Sequence, residues 1–246
     1  MDSIRSKLRP RAKTRVKICG LTNFADAAVA VEAGADLLGF IFDENSPRFI
    51  AAEQAQQIIA ELHRVYPPGD AAKPRYRTVG VFVDRPAAYI AAIMAMVGLD
   101  WAQLNGHEPV SVLDQLKRRA YKAIRPRAYK DADAEASFYA ALSPRLGPRL
   151  LIDAYRPRQH GEEQPRADWE IAKELARFRS IILAGGLTPD NVAAAVRFVH
   201  PWGVDVSSGV EKAPGIKDHA AIRAFVHNAK TAQLRNMRTD TAENLT

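Results

Sequence analysis

A few residue groups in this chain have side chains or backbone suited to acting on a small charged molecule. Cys19-Gly20-Leu21-Thr22 contains the only cysteine, so no intrachain disulfide is possible and Cys19 acts as a thiol or thiolate. Asp153 closes an apolar run and offers a carboxyl group that can give or take a proton. Ser46-Pro47-Arg48 supplies a guanidinium whose five donors form a fork suited to a carboxylate. Gly185-Gly186-Leu187-Thr188 and Ser207-Ser208-Gly209 let backbone N–H groups approach an anion, and a helix opening at Pro189 would add its positive end. Each group also has an ordinary reading. Cys19 could be a packed core residue, Asp153 a helix cap or loop carboxylate, Arg48 a solvated surface arginine, and the glycine pair a tight turn.

The chemistry depends on what positions these residues. Short apolar runs at Val16–Ile18, Leu37–Ile41, Thr78–Val83, Trp101–Leu104, Tyr121–Ile124, Arg149–Ile152, Ser180–Leu183 and Val204–Val206 read as strands buried on both faces. Amphipathic stretches separate them. Asn23 caps a helix that runs to Gly34, and Ala51 to His63 carries Ile58, Ile59 and Leu62 on one face. Pro86 opens a third helix that stops at Gly98. Val110–Arg119, Ala132–Leu142, Trp169–Phe178, Pro189–Val199 and Asp218–Lys230 complete the set.

Strict alternation demands a parallel sheet, because each return to the same strand direction needs a crossover. The anion signals follow strands seven and eight, where a (β/α)₈ TIM barrel places its phosphate site, and no Gly-x-Gly-x-x-Gly follows strand one. The expected architecture is an eight-stranded parallel α/β barrel over residues 16–230, with a basic leader at 1–15 and a polar tail at 231–246. In that fold the loops after the strands share one face. Cys19 and Asp153, from strands one and six, would then flank a substrate, one side deprotonating and the other protonating.

Bulk properties fit this reading. The 246 residues are 47% hydrophobic and 26% charged, as expected for a globular barrel of ordinary length. No apolar run reaches the roughly 18 residues of a membrane span, and no signal-peptide core is visible, so the cytoplasm is the expected location. The net charge of +7 is concentrated in part in Arg5, Lys7, Arg9, Arg11, Lys13 and Arg15. Such a leader is normally solvated, and no aromatic interleaving marks it as a nucleic-acid arm. The six histidines show no metal-ligand spacing, so neither metal nor cofactor is expected.

Val16-Lys17-Ile18-Cys19-Gly20-Leu21-Thr22 resembles the opening strand and loop of phosphoribosylanthranilate isomerases, the barrel enzymes of tryptophan biosynthesis. Ser46-Pro47-Arg48-Phe49, Val79–Val83, Leu151–Ala154, Asp168-Trp169, Gly185–Val192, Asp205–Glu211 and Pro214–Asp218 continue the resemblance in order, from about Val16 to Ala229. It implies a cofactor-free Amadori rearrangement of an aminoaldose to an aminoketose. By this resemblance Asp153 is the general acid at the furanose oxygen and Cys19 the base at carbon 2. Arg48 would hold the anthranilate carboxylate, Asp205 would orient the substrate, and Gly185, Gly186, Ser207, Ser208 and Gly209 would take the phosphate. The partner implied is a small phosphorylated aminosugar, with no nucleic acid or membrane. A homodimer is left open.

Two positions depart from the family pattern. Where the family carries Gly-Gly-Thr-Gly, this chain has His160-Gly161-Glu162-Glu163-Gln164-Pro165, which places two carboxylates near a doubly anionic ligand. Asn105 stands where the family often has histidine, keeping a hydrogen-bonding group but losing a titratable one. Both bear on efficiency and substrate identity more than on fold. The alternative is a divergent barrel that holds a phosphorylated sugar ligand or a partner enzyme with weak or no isomerase activity. Retention of Cys19, Asp153 and Arg48 together argues against it.

Overall fold

The computed structural model describes residues 14–67, 76–126, 129–153 and 169–232. In it the eight apolar runs become β1 (Arg15–Ile18), β2 (Leu37–Ile41), β3 (Arg77–Phe82), β4 (Trp101–Leu104), β5 (Ala120–Ile124), β6 (Leu150–Asp153), β7 (Ile181–Ala184) and β8 (Gly203–Val206). All pair in parallel in sequence order, and β8 returns to β1 to close the barrel. Each strand lies within a residue or so of its sequence expectation, because buried parallel strands are nearly continuous apolar runs. The leader up to residue 13, the tail from 233, the His160–Gln164 departure and Asp168 lie outside the described residues. Arg15, grouped above with the leader, belongs to β1, and its guanidinium lies 4.6 Å from the centre of the Trp202 ring.

The helices are α1 (Phe24–Ala33), α2 (Ala52–Val65), α3 (Ala87–Val97), α4 (Val110–Gln115), α5 (Tyr129–Leu142), α6 (Trp169–Ala176), α7 (Val192–Val199) and α8 (His219–Thr231). Their ends follow local chemistry. Asn23 accepts from the Asp26 N–H at 2.9 Å, and Gly34 leaves α1 in the left-handed conformation with φ 91°. In α2, Ala55, Ile58, Ile59 and Leu62 form the buried stripe.

Three helices are shorter than their sequence expectation, α6 ending at Ala176 rather than Phe178. α4 stops at Gln115 rather than Arg119, because Lys117 and Arg118 take positive φ angles of 49° and 63° to turn the chain into β5. α7 starts at Val192 rather than Pro189. Asn191 draws the preceding residues into a turn, accepting from the Thr188 N–H and donating to the Gly186 carbonyl, each at 2.9 Å. A short antiparallel hairpin, β9 (Glu211–Ala213) and β10 (Ile216–Lys217), follows a single 3₁₀ turn at Ser208–Val210. Sequence periodicity gave no sign of it, since two or three residues cannot show a repeat.

Side chains alternate along the strands. One set packs outward against the helices in the main core. Leu37, Val79, Tyr121, Ala123, Leu151 and Ile182 pack together in a second, smaller cluster, as expected for the filled interior of a barrel. Buried Asp26 ties the first helix to the last. It accepts from the Lys217 N–H at 2.9 Å and from Asn23 Nδ2 at 2.8 Å, and its other oxygen meets His219 Nε2 at 2.8 Å. Removing it strands a buried N–H, which costs about 1–3 kcal/mol. Asp26→Ala is therefore expected to lower unfolding free energy by about that amount in a denaturant titration. A change under about 0.5 kcal/mol would show the linkage to be dispensable.

Candidate active site

The loops that follow the strands enclose a cavity of about 320 Å³. Asp153 reaches it from the end of β6 and Asp205 from β8, while Gly185, Gly186, Ser207, Ser208 and Gly209 line it from the loops after β7 and β8. Gly185 and Gly186 have φ angles of 97° and 64°, which side chains other than glycine rarely adopt. The two loops touch through their backbones, because a Cβ at Gly209 would overlap the Leu187 carbonyl oxygen. The helix after Gly186 begins at Val192, and Pro189, where the sequence places a positive helix end, does not line the cavity. The turn beside the cavity is instead the 3₁₀ segment Ser208–Val210, where barrels often place a short extra helix for phosphate. Among the described residues, Ser207 Oγ and Asp205 Oδ1 are buried without a hydrogen-bond partner.

Beside this cavity, inside the barrel, lies the fully buried ammonium of Lys17. Its Nζ is 3.0 Å from Asp205 Oδ2, 2.9 Å from Gln103 Oε1 and 3.1 Å from Cys19 Sγ. Tyr121 also donates to Gln103 Oε1, at 3.1 Å. Burial alone would strip the proton from Lys17, but Asp205 and then Cys19 outweigh it and hold the ammonium above the ordinary lysine range. Burial pushes the Cys19 thiol up, Lys17 opposes this, and Asp205 adds to it. The Asp205 carboxyl is likewise raised by burial, with Lys17 pulling the other way.

Neither Cys19 nor Arg48 lines the cavity itself. Arg48 lies over Gly20: a Cβ there would come within 2.7 Å of Arg48 Cδ and 3.0 Å of Ser207 Oγ. Its fork is already engaged on one side. Nε and Nη2 donate to the two oxygens of Glu211 at 2.8 and 2.7 Å, and Lys217 Nζ reaches the same carboxylate at 2.8 Å. Burial would raise the Glu211 carboxyl, but the hydrogen bonds from Arg48 and Lys217 prevail and hold it below its ordinary value. Burial lowers Lys217.

Asp153 meets Arg125, whose Nε lies 3.0 Å from Oδ2, and Arg125 lines the cavity too. Asn105, also on the wall, accepts from Gln103 Nε2 at 3.2 Å and so joins the Lys17 network. The sequence reading missed Lys17, Gln103, Arg125, Glu211 and Lys217 as site residues. For Lys17 a signal existed, since a lysine inside a doubly buried strand requires partners. The others gave none: only the closed barrel brings residues 17, 103 and 205 together. Among the described residues, no group of His, Cys, Asp and Glu side chains gathers in a way that could hold a metal ion.

A closed parallel barrel whose cavity is lined by Asp153, Asp205 and the glycine-bearing loops after its last two strands has the architecture of a (β/α)₈ barrel enzyme. Residues 16–228 match the family model described as N-(5'-phosphoribosyl)anthranilate (PRA) isomerase, and the chain belongs to that family. It is 44% identical to the N-(5'-phosphoribosyl)anthranilate isomerase of Pelobacter propionicus over 224 residues, covering 91% of this chain and 99% of the relative. The phosphoribosyl anthranilate isomerase structure from Thermotoga maritima is similar with a TM-score of 0.74 and 37% identity, covering 88% of this chain and 98% of that one. A structure of the isomerase in complex with reduced 1-(o-carboxyphenylamino)-1-deoxyribulose 5-phosphate matches with a TM-score of 0.72 and 36% identity, over 88% and 98% of the two chains.

The depressed Glu211 carboxyl makes a prediction about stability. Its contribution is fully present above the ordinary value of 4.5 and is lost as pH falls through the lower folded value. Glu211→Gln is therefore expected to lower the melting temperature most near neutral pH, with the gap to wild type closing below about pH 4. A pH-independent gap would show that the ion pairs contribute nothing.

Proposed function

We propose that Asp153 and Cys19 divide the proton transfers of the rearrangement, with the substrate's phosphate held by the loops after β7 and β8. As a member of its family, the chain is an isomerase of tryptophan biosynthesis acting on N-(5'-phosphoribosyl)anthranilate. The observation that carries the residue roles is one shared cavity: Asp153, Asp205 and the glycine loops all line it, and Lys17 links Asp205 to Cys19. Asp153 would donate a proton to the furanose oxygen as the C1–O bond opens to an iminium. The Cys19 thiolate would then take the proton from carbon 2, and the C–H electron pair would become the C1–C2 double bond of an enaminol as the iminium nitrogen is neutralised. Tautomerisation gives the ketose. Asp205 Oδ1, buried and unpartnered among the described residues, suits a sugar hydroxyl. With Nε and Nη2 turned to Glu211, Arg48 would meet the anthranilate carboxylate through its remaining nitrogen.

No helix among the described residues is long and apolar enough to cross a membrane; membership of a biosynthetic enzyme family supports the expected cytoplasmic location. A homodimer is supported by the dimeric form named for the phosphoribosylanthranilate isomerase of Thermotoga maritima.

The test is turnover of freshly generated phosphoribosylanthranilate, followed by loss of anthranilate-type fluorescence. Cys19→Ser and Asp153→Asn are each expected to lower kcat by about 10²–10⁴-fold, the usual share of a general acid or base. Activity within about tenfold of wild type in either variant would remove that residue from the mechanism. A folded wild type without turnover would return the chain to a ligand-binding barrel. Because burial raises the Cys19 thiol above the ordinary value of 9.0, kcat/KM is expected to climb with pH through the alkaline range. A plateau from pH 6 upward would contradict a thiolate base.

A further inference from the structure

We propose that Lys17 is the positioning residue of the site: its buried ammonium donates to Cys19 Sγ, favouring the thiolate against the burial that opposes it, and to Asp205 Oδ2, turning the other carboxylate oxygen to the substrate. The inference rests on the reading of Cys19 as the base. An ammonium has three N–H groups, and here three acceptors surround Nζ within 3.1 Å: Cys19 Sγ, Gln103 Oε1 and Asp205 Oδ2. With every hydrogen engaged and no lone pair, Lys17 cannot itself be the base. Its charge instead compensates a negative charge beside it.

The barrel is shaped to admit this contact. Gly39 on β2 leaves the space that a side chain would fill, since a Cβ there would stand 2.8 Å from Cys19 Sγ and 3.1 Å from Lys17 Cε. Gln103, held by Tyr121 and bonded to Asn105, supplies the third acceptor for Nζ from β4. Asp205 takes one bond from Lys17 through Oδ2, and among the described residues its buried Oδ1 has no hydrogen-bond partner.

The charges that bear on Cys19 come from several elements. Lys17 on its own strand, Lys217 on β10 and Arg48 after β2 favour the thiolate, while Asp205 on β8 and the phenol of Tyr121 on β5 are the groups that oppose it on ionisation. Of the cations, only Lys17 donates a hydrogen bond to Sγ among the described residues. In the proton transfer, the carbon 2 hydrogen moves to Sγ and a neutral thiol forms beside Lys17, which keeps its own proton throughout.

Cys19 is the chain's only cysteine, so its titration can be followed without interference, by thiolate absorbance or by alkylation rate against pH. Lys17→Met is expected to move the thiol midpoint to higher pH by at least about one unit, a tenfold loss of thiolate at fixed pH. The rising limb of kcat/KM is expected to move with it. If Lys17→Met leaves Asp205 too costly to bury and does not fold, Lys17→Met combined with Asp205→Asn is compared with Asp205→Asn alone, reading the thiol midpoint only. An unchanged midpoint in the folded comparison overturns the proposal and leaves Lys17 a counter-ion of Asp205. Retained activity in Cys19→Ser would instead overturn the assignment of the base, whatever the midpoint does.

Discussion

A charged lysine inside an apolar barrel is the constraint around which this site is arranged. An isolated ammonium cannot be desolvated there without losing its proton or acquiring partners. Lys17 acquires them from the end of its own strand, from β4 and from β8: Cys19 just after β1, Gln103 and Asp205. Those partners span the seam at which the last strand returns to the first, where Lys17 and Asp205 are paired in register. The same contacts that satisfy the charge therefore place the thiol and a carboxylate beside one another and next to the cavity.

The second feature is the use of glycine where atoms must come close. Gly39 makes room for Cys19 and Lys17, Gly20 for Arg48 and Ser207, and Gly209 lets the last two loops meet at the Leu187 carbonyl. In each case a methyl group would fill space that the site requires. The hairpin after β8 extends the arrangement outward. Glu211 takes the fork of Arg48, Lys217 joins Glu211 from β10, and the Lys217 N–H rests on Asp26 of α1. The position of Arg48 at the mouth thus depends on contacts running back to the first helix.

Electrostatically, the site sets Lys17, Arg48, Lys217 and Arg125 against Asp153, Asp205 and Glu211. On the proposed reading, a substrate carrying both phosphate and carboxylate would enter a region where the cations are partly engaged by resident carboxylates. Binding would then exchange partners rather than neutralise bare charges, which lowers the desolvation cost of the empty site. Asp153 shows the same economy: it meets Arg125 across the cavity wall.

The local sequence was enough for the eight strands and most helix ends, and it singled out Asp153, Asp205 and the two glycine-bearing loops, which line the cavity, together with Cys19 and Arg48, which do not. Periodicity, caps and turn residues are local properties, and a barrel brings every strand's C-terminal end to one face. The sequence placed the start of α7 too early, because the Asn191 side chain bonds to Thr188 and Gly186 and competes with the helix at a distance periodicity does not register. It also left Lys17, Gln103, Arg125, Glu211 and Lys217 out of the site. Partnerships between residues 17 and 205, or 48 and 211, are separated by most of the chain and exist only after closure. Tertiary structure alone decided the charge of Lys17, the raised titration of Cys19 and which edge of Arg48 is left for a ligand, because burial and long-range pairing set all three.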